Sequence, residues 1–359
     1  MPVTEKTALT NVRAFDGRRL LPPATVVVDG PVLGPDPQGA RVLDCQGAVL
    51  LPGLIDAHVH LEGVDHLEQL REHGVTTALD MGAWPPSLVE ELRARRDGLT
   101  DFRSAGTIAI GRGGMHEEIP GIPEDGFVTG PADAERFVNA RVAERVDYVK
   151  VVVEPPGPAG LDQPTLDALV AAAHAHGKRV VAHASAAGAV AMAQQAGADV
   201  LTHAPLDADL DERQLARMAA EGRICVPTLT MMEAAAGMGR PGIDYDHARS
   251  SVAALHVEGV PLLAGTDANA TPGVPVNLPH GSSLHHELEL LVEAGLSTVD
   301  ALRAATVLPA RHFGLTDRGA VAPGMRADLV LLAGDPLADI RATRTVQRVW
   351  CAGAEYLPA

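Results

Sequence analysis

The feature that narrows the fold most is an alternation of short apolar runs with helix-forming stretches through the middle of the chain. The runs cover 49–58, 75–81, 107–111, 148–153, 179–183, 200–203, 224–228 and 262–267. Between most of them lie Ala-, Leu-, Glu- and Arg-rich segments at 65–73, 88–96, 131–143, 165–176, 187–196 and 212–220. Several of these segments stop at a glycine, as in His73-Gly74, His176-Gly177 and Glu221-Gly222. Runs that are apolar throughout suit strands covered on both faces, which is the habit of parallel sheets. Eight of them in alternation with helices predict an α/β protein, a (β/α)8 TIM barrel. Two further amphipathic helices are expected after the eighth strand, at 284–294 and 299–305.

The ends of the chain have a different texture. Residues 8–49 read as short strands broken by Gly30-Pro31 and Asp36-Pro37, and 328–332 and 345–352 are again strand-like. Two β-rich ends around a long middle predict one small β-sandwich domain, from residues 1–50 and 320–359, beside a catalytic barrel at 51–319.

Composition excludes several roles. The formal charge of −17 opposes both a nucleic-acid groove and an anionic membrane surface, which call for basic patches. No apolar run reaches membrane-spanning length, and residues 1–10 lack a signal peptide's apolar stretch. Cys45, Cys225 and Cys351 form no C-x-x-C pair, and their odd number suits a reducing compartment. A soluble, cytoplasmic protein is expected. With aromatics at only 3%, the core must be built from Ala, Val and Leu.

Chemistry in such a barrel sits at the C-terminal strand ends. The first run ends in His58-Val59-His60, and on a strand residues i and i+2 leave the same face, so both imidazoles enter one cavity. Later runs offer Lys150, His183, His203 and Asp267 at matching ends. Singly, each has a plain alternative. A histidine serves a core hydrogen bond, and Asp267 in Gly265-Thr266-Asp267 caps a turn. Six together point to a metal site. Lys150 stands in the apolar stretch Tyr148–Val153. An unpaired ammonium is too costly there, so a depressed pKa and a nucleophilic amine are expected.

The stretches PGLIDAHVH from Pro52, YVKVVV from Tyr148, VVAHAS from Val180, VLTHAP from Val200 and LLAGTDAN from Leu262 resemble the metal-dependent amidohydrolase superfamily. So does the ending APGMRADLVLLAGDPLADI from Ala322 with RVWCAG from Arg348. Within it the chain is similar to prolidase-like and imidazolonepropionase-like members. That resemblance implies a carboxylated Lys150 bridging two divalent metals, expected to be zinc. His58, His60 and Asp267 would hold one metal, and His183 and His203 the other. It also implies hydrolysis of an amide, ester, lactone or carbamate by a metal-bridging hydroxide, with Asp267 as general base and then acid. Thr266 is a candidate partner of that site.

His116 follows the glycine-rich Gly111-Arg112-Gly113-Gly114-Met115, where prolidase-like relatives place a substrate-facing histidine. An ordinary solvated histidine is the alternative. Arg112, Met231 and Asn269 are further candidate substrate contacts, Asn269 opening the Pro- and Gly-rich 269–280 segment, a candidate lid or pocket wall. His285-His286-Glu287 reads as the start of a helix. The expected partners are a small-molecule substrate and further copies of the chain.

Two other functions compete. A mononuclear aminohydrolase deaminating a heterocycle would share His58 and His60. Such relatives carry a glutamate three residues after the strand-five histidine, where this chain has Ala186. A non-catalytic scaffold would be expected to have lost a ligand, and none is missing.

Overall fold

A computed structural model describes residues 5–95 and 98–358. Arg96 of the expected 88–96 helix and Met1 to Thr4 lie outside them. The chain opens with β1 (Thr7–Ala14), β2 (Ala24–Asp29), β3 (Val32–Gly34), β4 (Arg41–Asp44) and β5 (Val49–Pro52). A central series of parallel-pairing strands follows: β6 (Leu54–Val59), β7 (Val75–Asp80), β8 (Asp101–Ser104), β9 (Val149–Val152), β10 (Val180–His183), β11 (Val200–Thr202) and β12 (Ile224–Cys225). The last three strands are β13 (Leu329–Leu332), β14 (Val346–Cys351) and β15 (Ala354–Tyr356).

Strands from both ends share one eight-stranded sheet, ordered β15-β14-β13-β5-β1-β2-β3 with β4 beside β1. The join is antiparallel, with Val330 opposite Leu51 and Leu332 opposite Val49. Trp350, 1% exposed, packs there with Leu9, Val12, Leu50 and Leu329.

The middle is parallel. β6, β7 and β8 form one ladder and β9 to β12 another. Single parallel bridges link the two series, Ala109 with Val151, Cys225 with Leu262 and Val59 with Ala268. Helices follow the strands, among them Val64–Glu72, Pro131–Ala143, Gln163–Ala175, Ala187–Ala196 and Glu212–Ala220. Their faces toward the sheet are Leu, Val and Ala, as in Leu166, Leu169, Val170 and Ala173.

Three expectations are corrected. The run 49–58 is two strands, because the chain leaves one sheet for another at Gly53. Its N–H bonds Asp328 O at 2.7 Å, and a Cβ there would stand 2.0 Å from Thr76 Oγ1. The third strand is Asp101–Ser104, which its polar sequence conceals. Asp101 pairs with Arg103 and with the buried Arg318, so its charge serves an ion pair rather than solvent. The expected 107–111 strand makes isolated bridges only. So does 262–267, whose backbone reaches the first parallel strand through Ala57 N to Ala264 O and His60 N to Ala268 O. Helices Leu229–Ala236, Tyr245–Val257 and Val307–His312 escaped the sequence reading.

The helix carrying His285, His286 and Glu287 is Ser282–Glu293. Glu287 is fully buried and accepts from the backbone N–H groups of Leu229 and Thr230 and from Thr230 Oγ1. It thereby caps the neighbouring helix. Burial pushes its carboxyl up to about 7, against the pull of those hydrogen bonds.

Two predictions follow from this packing. The folded state holds a proton on Glu287 that the unfolded chain releases near pH 4.5, so its contribution is fully present below that pH and is lost as pH rises toward 7. Glu287→Gln should therefore flatten the fall in unfolding free energy between pH 5 and 7; an unchanged slope in urea titrations would exclude that account. Gly353, at φ +81°, turns β14 into β15, and a Cβ there would lie 1.7 Å from Gly30 O in the β2–β3 turn. Gly353→Ala should cost about 2 kcal/mol or more of stability, read as a lower denaturant midpoint.

Candidate metal centre

The parallel strands bring side chains from far apart in sequence to one end. Asp267 Oδ1 lies 3.2 Å from His58 Nε2 and 3.1 Å from His60 Nε2. These three residues present ligand-type atoms within 4.8 Å of one another, a set able to hold a metal ion. His203 Nε2 meets His183 Nδ1 at 2.8 Å, and the His58 and His203 ring centroids are 5.0 Å apart. Lys150 Nζ is 3.4 Å from His58 Nε2. All six residues expected from the strand ends thus fall in one connected cluster.

The far sides of the rings are held. His58 Nδ1 bonds Thr202 Oγ1 at 2.8 Å, His60 Nδ1 meets Gly82 O at 3.1 Å, and His203 Nδ1 bonds Thr228 Oγ1. Such partners fix a ring's orientation and leave its other nitrogen for the cavity. Asp267 takes φ +60°, a conformation costly for a residue with a Cβ. Its N–H bonds His58 O at 2.7 Å, locking the strained residue to the first parallel strand.

Electrostatics favour neutral imidazoles at His58, His183 and His203 and an ionised Asp267, whereas His60, despite its burial, is raised by its hydrogen bond to Asp267 and that carboxylate's charge. Burial drives the pKa of His58 and His183 well down and that of His203 to about 3. Burial would raise Asp267, but interaction with His58, the hydrogen bond from His60 and the nearby His203 ring hold it well below the usual carboxylate range. Burial lowers Lys150 to about 8, partly offset by Asp267 and Asp80. An amine so placed is unprotonated to about a tenth at pH 7, far more than an ordinary lysine. Imidazoles, an ionised carboxylate and a deprotonatable amine are donor types that a divalent metal accepts.

Two buried acids went unnoticed in the sequence. Asp56 is fully buried two residues before His58, on the same strand face. Its Oδ2 accepts from Thr266 Oγ1 at 2.7 Å, and its Oδ1 from the N–H groups of Thr266 and His58. Burial pushes Asp56 up to about 7, against those bonds. Thr266 therefore braces Asp56. Asp80 ends β7 and accepts from Ser104 Oγ and Leu61 N. The signal for both was a carboxylate inside or ending an apolar run, where solvation cannot explain it.

The outer candidates divide. His116 stands against His183, ring centroids 4.3 Å apart and nearly perpendicular, and its Nδ1 bonds Glu154 Oε1 at 2.9 Å. Burial opposes the Glu154 charge, yet hydrogen bonding and charge from His116 hold its carboxyl below the usual range. Arg112 pairs with Glu117 and Glu124 and lies over the Phe127 ring, so acids of its own loop occupy it. Met231 is buried in the Leu229–Ala236 helix. Asn269 is 7% exposed, and its Nδ2 donates to Asp267 O and Val276 O, tying the 269–280 segment to the cluster. A cavity of about 420 Å³ opens at the opposite end of the strands, between Arg103, Tyr148, Arg179 and Phe313. It contains none of the six cluster residues.

Known proteins resemble this chain in both sequence and fold. An uncharacterized protein of Mycobacterium tuberculosis (strain ATCC 25618 / H37Rv) is 30% identical over 353 residues, covering 86% of this chain and 85% of its own. An adenine deaminase of Ligilactobacillus salivarius (strain UCC118) is 26% identical over 354 residues, or 92% of this chain, which spans only 54% of that enzyme. The structure of a Xaa-Pro dipeptidase with bound methionine superposes with a TM-score of 0.84 at 22% identity, covering 98% of this chain and 100% of the other. That of phenylurea hydrolase B gives 0.80 at 24%, covering 99% and 97%. At such identities the superpositions establish the α/β fold. The sequence signature of the amidohydrolase family runs from residue 49 to residue 355, and the chain belongs to that family of hydrolases acting on carbon–nitrogen bonds.

Proposed function

We propose that this protein cleaves an amide, or a related ester, lactone or carbamate, at a centre of two zinc ions. The centre would lie at the C-terminal mouth of a (β/α)8 barrel spanning 51–319, with residues 1–50 and 320–359 forming the smaller domain. The barrel reading is supported by the bridges Ala109–Val151, Cys225–Leu262 and Val59–Ala268, which join the two parallel ladders and the 262–268 segment in sequence.

The observation that carries the function is the convergence of His58, His60 and Asp267 within 4.8 Å, with Lys150 and the His183–His203 pair against them. In this reading His58, His60 and Asp267 hold one ion and His183 and His203 the other. Lys150, were its neutral amine to take up CO2 and lose a proton, would present an anionic carbamate oxygen donor to both. Metal bound there supplies Lewis acidity, which polarises a carbonyl and lowers the pKa of water.

The chain's own residues do the rest. Asp267 directs Oδ1 at His58 and His60, while its Oδ2, 3.9 Å from His203 Nδ1, accepts the attacking water's proton and returns it to the leaving nitrogen or oxygen. His116 contacts the substrate, and Asn269 holds the adjoining loop against Asp267. Deamination has one observation in its favour, the likeness to adenine deaminases. Against it, Ala186 is a buried residue at the start of a helix and offers no proton shuttle where a glutamate would serve.

The decisive assay challenges zinc-loaded protein with N-acyl amino acids, dipeptides, lactones, carbamates and adenine. Hydrolysis of an acyl compound that a chelator abolishes supports the reading, whereas ammonia released from adenine supports the rival. Asp267→Asn should keep the fold and cut kcat by about a hundredfold or more, since it removes the proton acceptor. Unaltered turnover in that variant would remove Asp267 from the mechanism. Lys150→Ala should bind no more than one metal equivalent by elemental analysis; two equivalents with full activity would refute the bridging role.

A further inference from the structure

Glu154 has no part in the six-residue cluster, yet the chain makes unusual room for it. It lies two residues beyond β9 and four beyond Lys150, and it is 7% exposed. Its Oε1 takes the His116 side chain at 2.9 Å and the His116 backbone N–H at 3.4 Å. Two glycines hold its side chain from either side. A Cβ at Gly114 would stand 2.7 Å from its Oε1 and 2.9 Å from its Cγ, and one at Gly160 2.7 Å from its Cγ and 2.8 Å from its Cβ.

The glycines belong to two loops pressed together. Gly160 N bonds Arg112 O at 2.9 Å, and a Cβ at Gly111 would fall 2.1 Å from the carbonyl carbon of Gly160. The loop after β8 and the loop after β9 can therefore approach only as bare backbone. What that approach delivers is one carboxylate onto one ring nitrogen. Arg112, the strong cation of the same loop, is taken by Glu117 and Glu124, so Glu154 is left to His116.

We propose that Glu154 is a positioning residue for His116. It holds Nδ1–H and leaves Nε2, which has no hydrogen-bond partner among the described residues, as the nitrogen that meets the substrate. A carboxylate on one imidazole nitrogen fixes the tautomer and the ring plane, so the other nitrogen acts from a set place. The perpendicular stacking of His116 on His183 puts that ring beside the reacting centre of the proposed hydrolase, and the catalytic consequence rests on that reading. A purely structural brace would need no charge. A serine or threonine hydroxyl would satisfy the loop's backbone N–H without burying a carboxylate.

The test reads the ring and the reaction separately. In histidine-15N-labelled full-length protein, the His116 signals are identified by their loss in His116→Ala. Glu154→Gln, nearly isosteric, should shift the Nδ1 signal. Glu154→Ala should shift it further, toward a mixture of tautomers. Turnover of whichever substrate the panel yields should fall about ten- to hundredfold in kcat for Glu154→Gln. KM should stay within about threefold, and melting temperature and metal content should not change. Adding Glu154→Gln to His116→Ala should produce no further loss. His116 signals that ignore both Glu154 variants, or losses that multiply in the double variant, would overturn the proposal. If no panel compound is cleaved, the hydrolase reading fails, and the nitrogen signals still decide this one.

Discussion

The contact on which the site depends is the one Asp267 makes with His58 and His60, because it joins residues more than two hundred positions apart across a seam with no continuous ladder. Nothing local would place Asp267 there. It is held in a left-handed conformation, its N–H spent on His58 O, while Thr266 beside it locks onto Asp56. Without those bonds the segment would relax and the carboxylate would leave the imidazoles. A buried carboxylate is expensive unless hydrogen bonds and positive charge compensate it, and here His58 and His60 bond Asp267 while the Lys150 ammonium attracts it. Asp267, His58 and His60 form a set able to hold a metal ion.

That cost explains why the surrounding polar groups come in braced pairs. Thr202 holds His58, Thr228 holds His203, Ser104 holds Asp80 and Thr266 holds Asp56. Each hydroxyl donates to or accepts from a group that cannot reach water, so little desolvation is left unmatched. The same partners remove rotational freedom from the rings, so the cluster is organised before any ligand arrives.

What the sequence made legible followed from periodicity and from misplaced polarity. A histidine, lysine or aspartate ending an apolar run is hard to explain by solvation, and all six such residues meet in the structure. The helices Pro131–Ala143, Ala187–Ala196 and Glu212–Ala220 have the bounds that their helix-forming composition predicts. Elements whose polarity is spent internally were not. Asp101–Ser104 looks like a loop because the partner of its charge, Arg318, lies 217 residues away. The break at Gly53 was invisible because both halves are equally apolar, and only the crowding by Thr76 reveals it. Asp56 was hidden inside a motif already read for its histidines.

The division between strand ends and loops also bears on how such a site acquires a substrate. Groups on the strands are fixed by ladders, bridges and hydroxyl braces, and changing one disturbs its neighbours. Groups on the loops are fixed by close backbone approach and local hydrogen bonds, as where Gly111, Gly114 and Gly160 bring two loops together around Glu154. A loop can be remade without unfolding the sheet beneath it. Selectivity can thus rest on what the loops present. In this chain that is an imidazole gripped by a carboxylate, beside an arginine already neutralised by its own loop.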